Sequence, residues 1–186
     1  MRANKVANYE SILQVLDEPG CPFCRFMKNY QTALMQDPSQ KSVHHLCNFH
    51  TWGLAATQRA SSAARVFLEL LNRPGEAPDA SPCDICVLLE LEEDQRIREF
   101  LSCLHHKHVV QWLNLQSVLC LGHGMKLKHG APPAIAVAID SIMKRYRSQL
   151  AEELSQLRDV YDPGEAKWGT LGHAAEFLAS QRGLRP

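Results

Sequence analysis

Six of the seven cysteines and two of the nine histidines form a pattern that occurs twice in the chain. Each half has the order Cys-x2-Cys, then Leu-Cys-x2-His, with 22 residues between the two pairs in the first half and 33 in the second. Repetition at this level predicts a tandem repeat of one structural unit. The pairs, in chain order, are Cys21 and Cys24, Cys47 and His50, Cys83 and Cys86, and Cys120 and His123.

Three thiolates and one imidazole make up a complete tetrahedral ligand set for a metal ion. A gap of two residues lets both members of a pair reach the same ion when the pair lies on the first turn of a helix, where residues i and i+3 share a face. The pattern therefore predicts two metal sites, and zinc suits such a ligand set best. Iron–sulfur clusters, which are also held by cysteines and sometimes by histidine, are the alternative cofactor. Cysteines serving as small buried core residues would leave the repeated histidine unexplained.

Two ways of pairing the motifs are open. The simpler expectation is one ion in each repeat, held in the first by Cys21, Cys24, Cys47 and His50; the pairs could equally be exchanged between repeats. Four donors leave no open position for water or substrate, which a catalytic zinc ion requires. The sequence thus favours a protein that is not an enzyme. A hydrolase with an open zinc site would need one of the two histidines not to be a ligand.

Helices must position these ligands, because strand patterns with alternating polarity and hairpin turns have almost no support. The fold class predicted is all-α, with two helical metal-binding repeats, a long amphipathic helix and a short C-terminal helix. The predicted helices are Asn4–Asp17, Arg25–Gln36, one from Cys47 to about Asn72, Val87–His105, one opening at Cys120, Ala134–Tyr161 and Leu171–Ser180.

The domain organisation predicted from these elements has three parts. Residues 1–74 form the first Cys3His repeat, residues 75–130 the second, and residues 131–186 the long and the C-terminal helices, packed on the repeats as one globular unit. The longer spacer of the second repeat is expected to hold an extra helix and turn around Ser102–Val110. The apolar stripe of the long helix, from Ile135 to Tyr161, has helical spacing throughout.

Composition excludes several function classes. The chain has 186 residues, 45% of them apolar, and 20 basic side chains balance 20 acidic ones. A dedicated binder of nucleic acid or anionic membranes normally has a basic excess, so neither partner is expected. Residues 1–16 have no unbroken apolar core typical of a secretory signal, and the longest uncharged stretch, His108–Met125, contains too many polar residues to span a bilayer. The expected compartment is the cytoplasm, where thiols stay reduced.

Other chemistry-bearing residues have simpler explanations. We interpret His44, His45, His105, His106 and His108 as partly exposed histidines near helix ends, with a second metal or proton-relay site as the alternative. Cys103 is expected to be buried in a helix rather than to be a reactive thiol, since Leu101 and Leu104 flank it. Residues 76–104 hold eight acids, which we interpret as a solvated face: Glu76, Asp79, Asp84, Glu90, Glu92, Glu93, Asp94 and Glu99.

The whole pattern resembles a bacterial family known only as a domain of unknown function. The resemblance rests on the four motifs in their order, the long helix and a closing segment with Trp168-Gly169 and Ala174–Leu178, and it covers about Glu18 to Gly183. It implies a soluble, helical, metal-binding protein with the same eight ligands and supplies no activity. Members often have Gly before the Leu-Cys, where this chain has His45 and Val118.

The sequence therefore predicts a non-catalytic, metal-stapled helical module that binds another protein or serves as an accessory subunit. The alternative from a different class is an iron–sulfur protein for electron transfer or redox sensing, as a small subunit of a larger redox complex. The sequence does not determine the partner, any substrate or the oligomeric state.

Overall fold

The computed structural model describes residues 15–16, 18, 20–36, 43–56, 60–72, 82–115, 118–158 and 168–179. Within these residues the chain forms eight helices and no strand, so the all-α prediction is confirmed. The helices are α1 (Pro22–Gln36), α2 (Asn48–Ala55), α3 (Ala60–Leu71), α4 (Asp84–Ser102), α5 (Lys107–Leu115), α6 (Leu121–Gly130), α7 (Pro133–Arg158) and α8 (Trp168–Ala179).

Most helices follow the predicted pattern. Helices α1 and α4 begin three residues before the predicted starts at Arg25 and Val87, so that they include the second cysteine of each Cys-x2-Cys pair. The extra length of the second repeat is α5 together with the turn that precedes it, as expected. The predicted N-terminal helix Asn4–Asp17 lies outside the described residues, except for Val15 and Leu16, which are helical.

One predicted helix was wrong, because the segment from Cys47 to Asn72 is two helices rather than one. Helix α2 ends at Ala55 and α3 begins at Ala60. Leu54 and Ala63 are both buried in the same core. Nine residues along a continuous helix correspond to about 900°, which would place these two side chains on opposite faces. The helix has to be interrupted for both Leu54 and Ala63 to be buried. No proline or glycine lies between these two residues, so the sequence does not indicate the break.

The described residues fall into two compact units. The first unit draws on Met1–Phe26 and Gln95–Pro186, and the second is Met27–Asp94. The unit boundaries lie within α1 and α4 and cut across the sequence repeats predicted at residues 1–74, 75–130 and 131–186. The repeats describe the order of the motifs, whereas the units describe which segments pack together.

The core of the first unit is formed around aromatic side chains. Phe23 at the start of α1 meets Phe100 of α4 edge to face, with ring centroids 5.3 Å apart, and Phe100 meets Trp112 of α5 at 5.9 Å. Such pairs stabilise a core by about 1 kcal/mol beyond their burial. Helix α7 packs on α5, α6 and α8. The remaining buried members are Leu16, Ile97, Cys103, Val109, Leu113, Leu119, Leu127, Ile139, Ile142 and Met143.

The core of the second unit is smaller and contains a cysteine of the repeated motifs. Leu54 of α2 is fully buried and packs with Ala63 and Val66 of α3, with Cys83 among the members of the same cluster. The other members are Leu34, Met35, Val43 and Ile85.

No helix in the described part of the chain is long and apolar enough to cross a bilayer.

Candidate metal centres

All four motifs have the same local geometry. The first cysteine of each motif lies directly before a helix, and its carbonyl oxygen accepts the backbone N–H of the residue four positions later at 2.9–3.3 Å. The second ligand, three positions later, therefore lies on the first helical turn and on the same face as the first. The four helices that begin in this way are α1, α2, α4 and α6.

The entrance to the first motif depends on a glycine. Gly20 has a φ of +93°, in the left-handed region that residues with a side chain rarely adopt. It turns the chain directly before Cys21. The Pro19-Gly20 pair in the sequence therefore predicts this turn.

The first cluster joins the pair Cys21 and Cys24 to the pair Cys120 and His123. The Nδ1 atom of His123 lies 3.6 Å from the sulfur of Cys21, 3.3 Å from that of Cys24 and 3.0 Å from that of Cys120. The sulfurs of Cys24 and Cys120 are 3.5 Å apart. All four ligand groups are buried in the first unit, although Cys21 as a whole residue is partly exposed.

The second cluster joins Cys47 and His50 to Cys83 and Cys86. The Nδ1 atom of His50 lies 3.3 Å from the sulfur of Cys47 and 3.4 Å from each of the other two. The sulfurs of Cys47 and Cys86 are 3.9 Å apart. His50 and Cys83 are buried, whereas Cys47 and Cys86 are partly exposed.

This grouping corrects the simpler pairing expected from sequence. Each cluster takes its Cys-x2-Cys pair from one repeat and its Cys-x2-His pair from the other. In chain order the outer two motifs meet and the inner two motifs meet, so the arrangement is nested. Packing of α6 against α7 in the first unit, and of α2 against α3 in the second, places the two histidine-bearing motifs in different units.

The electrostatics of the first cluster favour a bound cation. Burial, together with hydrogen bonding to Cys120 and Cys24, raises the pKa of the Cys21 thiol well above its usual value. Hydrogen bonds from Cys21 and Cys24 lower the pKa of Cys120. Negative charge is thus favoured on the Cys120 sulfur and disfavoured on that of Cys21, because like charges this close disfavour one another. A divalent cation among the three sulfurs would let all of them ionise together.

Asp84 has a role that sequence reasoning missed. We had interpreted it as part of a solvated acidic face. It is the first residue of α4, and its Oδ2 accepts the backbone N–H groups of His44 and His45, the latter at 2.8 Å. The backbone N–H of Asp84 donates in return to the carbonyl of His45 at 3.0 Å. These bonds tie the segment before Cys47 to the segment holding Cys83. The available signal was an acid between the two cysteines at a helix start.

Gly124, which follows the candidate ligand His123, is a second residue that the sequence did not single out. A Cβ atom at this position would contact the side chain of Met143 on α7, with Cγ at 3.1 Å and Cε at 3.2 Å. Such distances are shorter than ordinary van der Waals contact. The absence of a side chain lets the first turns of α6 approach α7 closely.

The other histidines and Cys103 lie outside both clusters. Cys103 is buried in the core of the first unit, as predicted, but it lies in the turn directly after α4 rather than within the helix. The rings of His105 and His106 are tilted by 37° to each other with centroids 4.1 Å apart, and His44 and His108 are exposed. Within the described residues, neither these histidines nor the acids Glu90, Glu93 and Asp94 belong to a group with metal-site geometry.

Comparison with protein-family models, with curated proteins and with solved structures found no match to this chain. The resemblance to a bacterial family therefore has no support from these comparisons. What the structure bears out is its coarser content, namely two compact Cys/His clusters in a helical chain.

Proposed function

We propose that this chain is a non-catalytic helical module fastened by two zinc ions, each held by three cysteines and one histidine. One observation carries the proposal. In each cluster the histidine Nδ1 lies 3.0–3.6 Å from all three sulfurs. Zinc bonds of about 2.3 Å to sulfur and about 2.0 Å to nitrogen give a tetrahedron with nitrogen–sulfur edges of about 3.5 Å.

The sulfur spacing favours one ion in each cluster over an iron–sulfur cluster. The sulfurs of Cys24 and Cys120 are 3.5 Å apart in the first cluster, and those of Cys47 and Cys86 are 3.9 Å apart in the second. A tetrahedral zinc site predicts sulfur–sulfur edges of about 3.8 Å. The ligands of an iron–sulfur cluster must stand farther apart, because several irons and bridging sulfides lie between them.

The complete donor sets support a structural role rather than catalysis. Both histidines point Nδ1 at their three cysteines, so neither is left over to define an open site. Structural zinc stabilises small modules by about 10–16 kcal/mol, which is ample to hold together the first turns of helices of this length. When bound, the ion would supply a fixed tetrahedral anchor for two helix starts in each unit.

Exposed apolar side chains in the second unit support the proposal that the module binds another protein. Phe49 and Trp52, three residues apart on α2, are 45% and 72% exposed. On α3, Leu68 and Leu71 are 59% and 80% exposed. Aromatic and aliphatic side chains of this size are common at protein–protein interfaces. We propose that these exposed side chains bind a protein partner in the cytoplasm, and we propose no nucleic-acid partner.

Elemental analysis with an absorption spectrum tests the metal proposal, using protein purified without air or chelator. We expect two zinc ions per chain and a colourless solution. Iron with acid-labile sulfide and a visible band would establish the iron–sulfur alternative. A chain without metal, folded to the same helical content, would refute both.

Site-specific photo-crosslinking in cells tests the partner proposal. A crosslinking amino acid in place of Trp52 should capture one discrete protein, because this position is 72% exposed and lies one helical turn from the exposed Phe49. The matched control replaces Glu90, an exposed polar residue of the same unit, and should capture nothing discrete. Equal yields at both positions would contradict a partner on this face.

A further inference from the structure

The two clusters differ in how far solvent can reach their sulfurs. The four ligand groups of the first cluster are buried, although Cys21 as a whole residue is partly exposed. In the second cluster, Cys47 and Cys86 are partly exposed while His50 and Cys83 are buried. Access is a main determinant of cysteine oxidation, since the oxidant has to reach the thiolate sulfur.

The two partly exposed cysteines of the second cluster are also neighbours. Cys47 precedes α2 and Cys86 lies on the first turn of α4, and their sulfurs are 3.9 Å apart. They come from different motifs, separated by 39 positions in the chain. A disulfide between them would therefore join two helices that the metal otherwise joins.

We infer that Cys47 and Cys86 form a peroxide-sensitive disulfide switch, which releases the metal of the second cluster and leaves the first cluster intact. The inference rests on the proposed zinc function and adds a regulatory modification to one of its two sites.

The chemistry balances with hydrogen peroxide as the oxidant. One thiolate attacks a peroxide oxygen, breaking the O–O bond, and becomes a sulfenic acid as hydroxide leaves. The second thiolate attacks that sulfur and displaces a second hydroxide. Two thiolates have then lost two electrons in total, and the peroxide has gained them and, with two protons, becomes two waters. A dithiol reductant reverses the step by thiol–disulfide exchange.

Oxidation would leave the second unit with two of its four ligands. His50 and Cys83 cannot hold the ion alone against a competing chelator, because a stable zinc site needs four donors in tetrahedral array. The disulfide keeps α2 and α4 joined through Cys47 and Cys86, while His50 is released from the three sulfurs. The smaller core of this unit makes it the one that depends more on its metal.

The first cluster serves as an internal control. The sulfurs of Cys24 and Cys120 are 3.5 Å apart, closer than those of Cys47 and Cys86, but both residues are buried. If proximity of sulfurs governed oxidation, this cluster would react first. If access governs it, the second cluster reacts first.

The experiment treats zinc-loaded full-length protein with hydrogen peroxide in the presence of a chromogenic zinc chelator, followed by disulfide mapping by mass spectrometry. We expect one of two zinc ions to be released about tenfold faster than the other, with Cys47–Cys86 as the first disulfide. Dithiothreitol with added zinc should restore both ions. Protein that holds no zinc at the start would refute the proposed function, whereas zinc-loaded protein that releases both ions together, neither ion, or the first cluster's ion first would refute the switch alone.

Ligand-preserving variants sharpen the test. Cys86→His leaves a two-cysteine, two-histidine set, which also holds structural zinc, but removes the disulfide partner of Cys47. It should slow the fast release about tenfold or more. The matched variant Cys120→His changes the first cluster in the same way and should leave the fast release unchanged. A Cys86→His protein that loads two zinc ions and releases one as fast as the parent would refute the inference.

Discussion

Cys24 and Cys120 lie 96 positions apart in the chain, yet their sulfur atoms are 3.5 Å apart in a buried cluster. This contact closes the outer of two nested ligand sets, with the second cluster formed from the motifs that lie between them in sequence. A cross-link over a long stretch of chain restricts the unfolded state more than one over a short stretch. The outer site is therefore the one expected to contribute most to the global stability of the chain.

Zinc stoichiometry in double variants distinguishes the nested pairing from pairing within repeats. Cys24→Ser with Cys120→Ser removes two ligands of one cluster and should leave one zinc ion per chain. Cys24→Ser with Cys47→Ser removes one ligand from each cluster and should leave none. Pairing within repeats gives the opposite result for the two proteins. Cys103→Ser, which lies outside both clusters, should keep both ions.

Removing the Asp84 carboxylate should loosen the second unit without emptying its site. Asp84→Ala leaves the backbone N–H groups of His44 and His45 without their acceptor and should lower the free energy of unfolding by about 1–3 kcal/mol. Asp84→Asn keeps one acceptor oxygen and should cost less. Asp94→Ala, an exposed acid on the same helix, is the control for charge removal. Equal thermal midpoints for Asp84→Ala and Asp94→Ala would show that the carboxylate has no such role.

A side chain at position 124 should destabilise the first unit. Gly124→Ala places a methyl group against Met143 in a packed core, and overpacking of this kind costs about 1–3 kcal/mol. Gly122→Ala, at an exposed position two residues earlier in the same helix, should be neutral or slightly stabilising because alanine favours helix. Chemical denaturation of both variants measures the difference. A Gly124→Ala protein as stable as Gly122→Ala would mean that α6 and α7 separate without cost.

Tyr146 predicts a change in stability at alkaline pH. Burial, with the nearby charges of Glu153 and Glu176, raises the pKa of Tyr146 above its usual value. As the pH rises, the unfolded chain therefore ionises this phenol before the folded chain does. The contribution of Tyr146 to the free energy of unfolding is complete below a pH of about 10 and is lost as the pH rises towards the folded-state pKa. Tyr146→Phe keeps the edge-to-face contact with Phe177 and lacks the ionising group.

The measurement is the free energy of unfolding of parent and Tyr146→Phe on both sides of pH 10. As the pH rises above about 10, the parent should lose stability relative to the variant. The change should be small because Tyr146 is only partly buried. An unchanged difference across this range would contradict the assignment.

Local geometry explains why the sequence alone predicts so much of the site. A cysteine before a helix and a second ligand three residues later share a face whatever the rest of the chain does, so all four ligand pairs can be identified from spacing. The helix ends follow in the same way from local signals, such as Asp37-Pro38 after α1. The all-α class follows from the absence of strand patterns.

Packing decides which motifs pair, because the spacing of the motifs in the sequence favours one pairing over the other only weakly. The spacers are 22 and 33 residues for pairing within repeats and 32 and 95 residues for the nested arrangement. The entropy of loop closure favours pairing within repeats by only about 1 kcal/mol, because its cost grows with the logarithm of the loop length. Burial of a single core side chain such as Phe100 offsets that difference.

The sequence by itself thus determined the helical class, the local form of each motif and the eight candidate ligands. Tertiary structure alone decided which motifs meet, the break between α2 and α3 that buries both Leu54 and Ala63, and the contact of Asp84 with the segment before Cys47. The physical reason is common to all three. Each depends on contacts between residues distant in sequence, whose free energies exceed the small local preferences that a sequence pattern records.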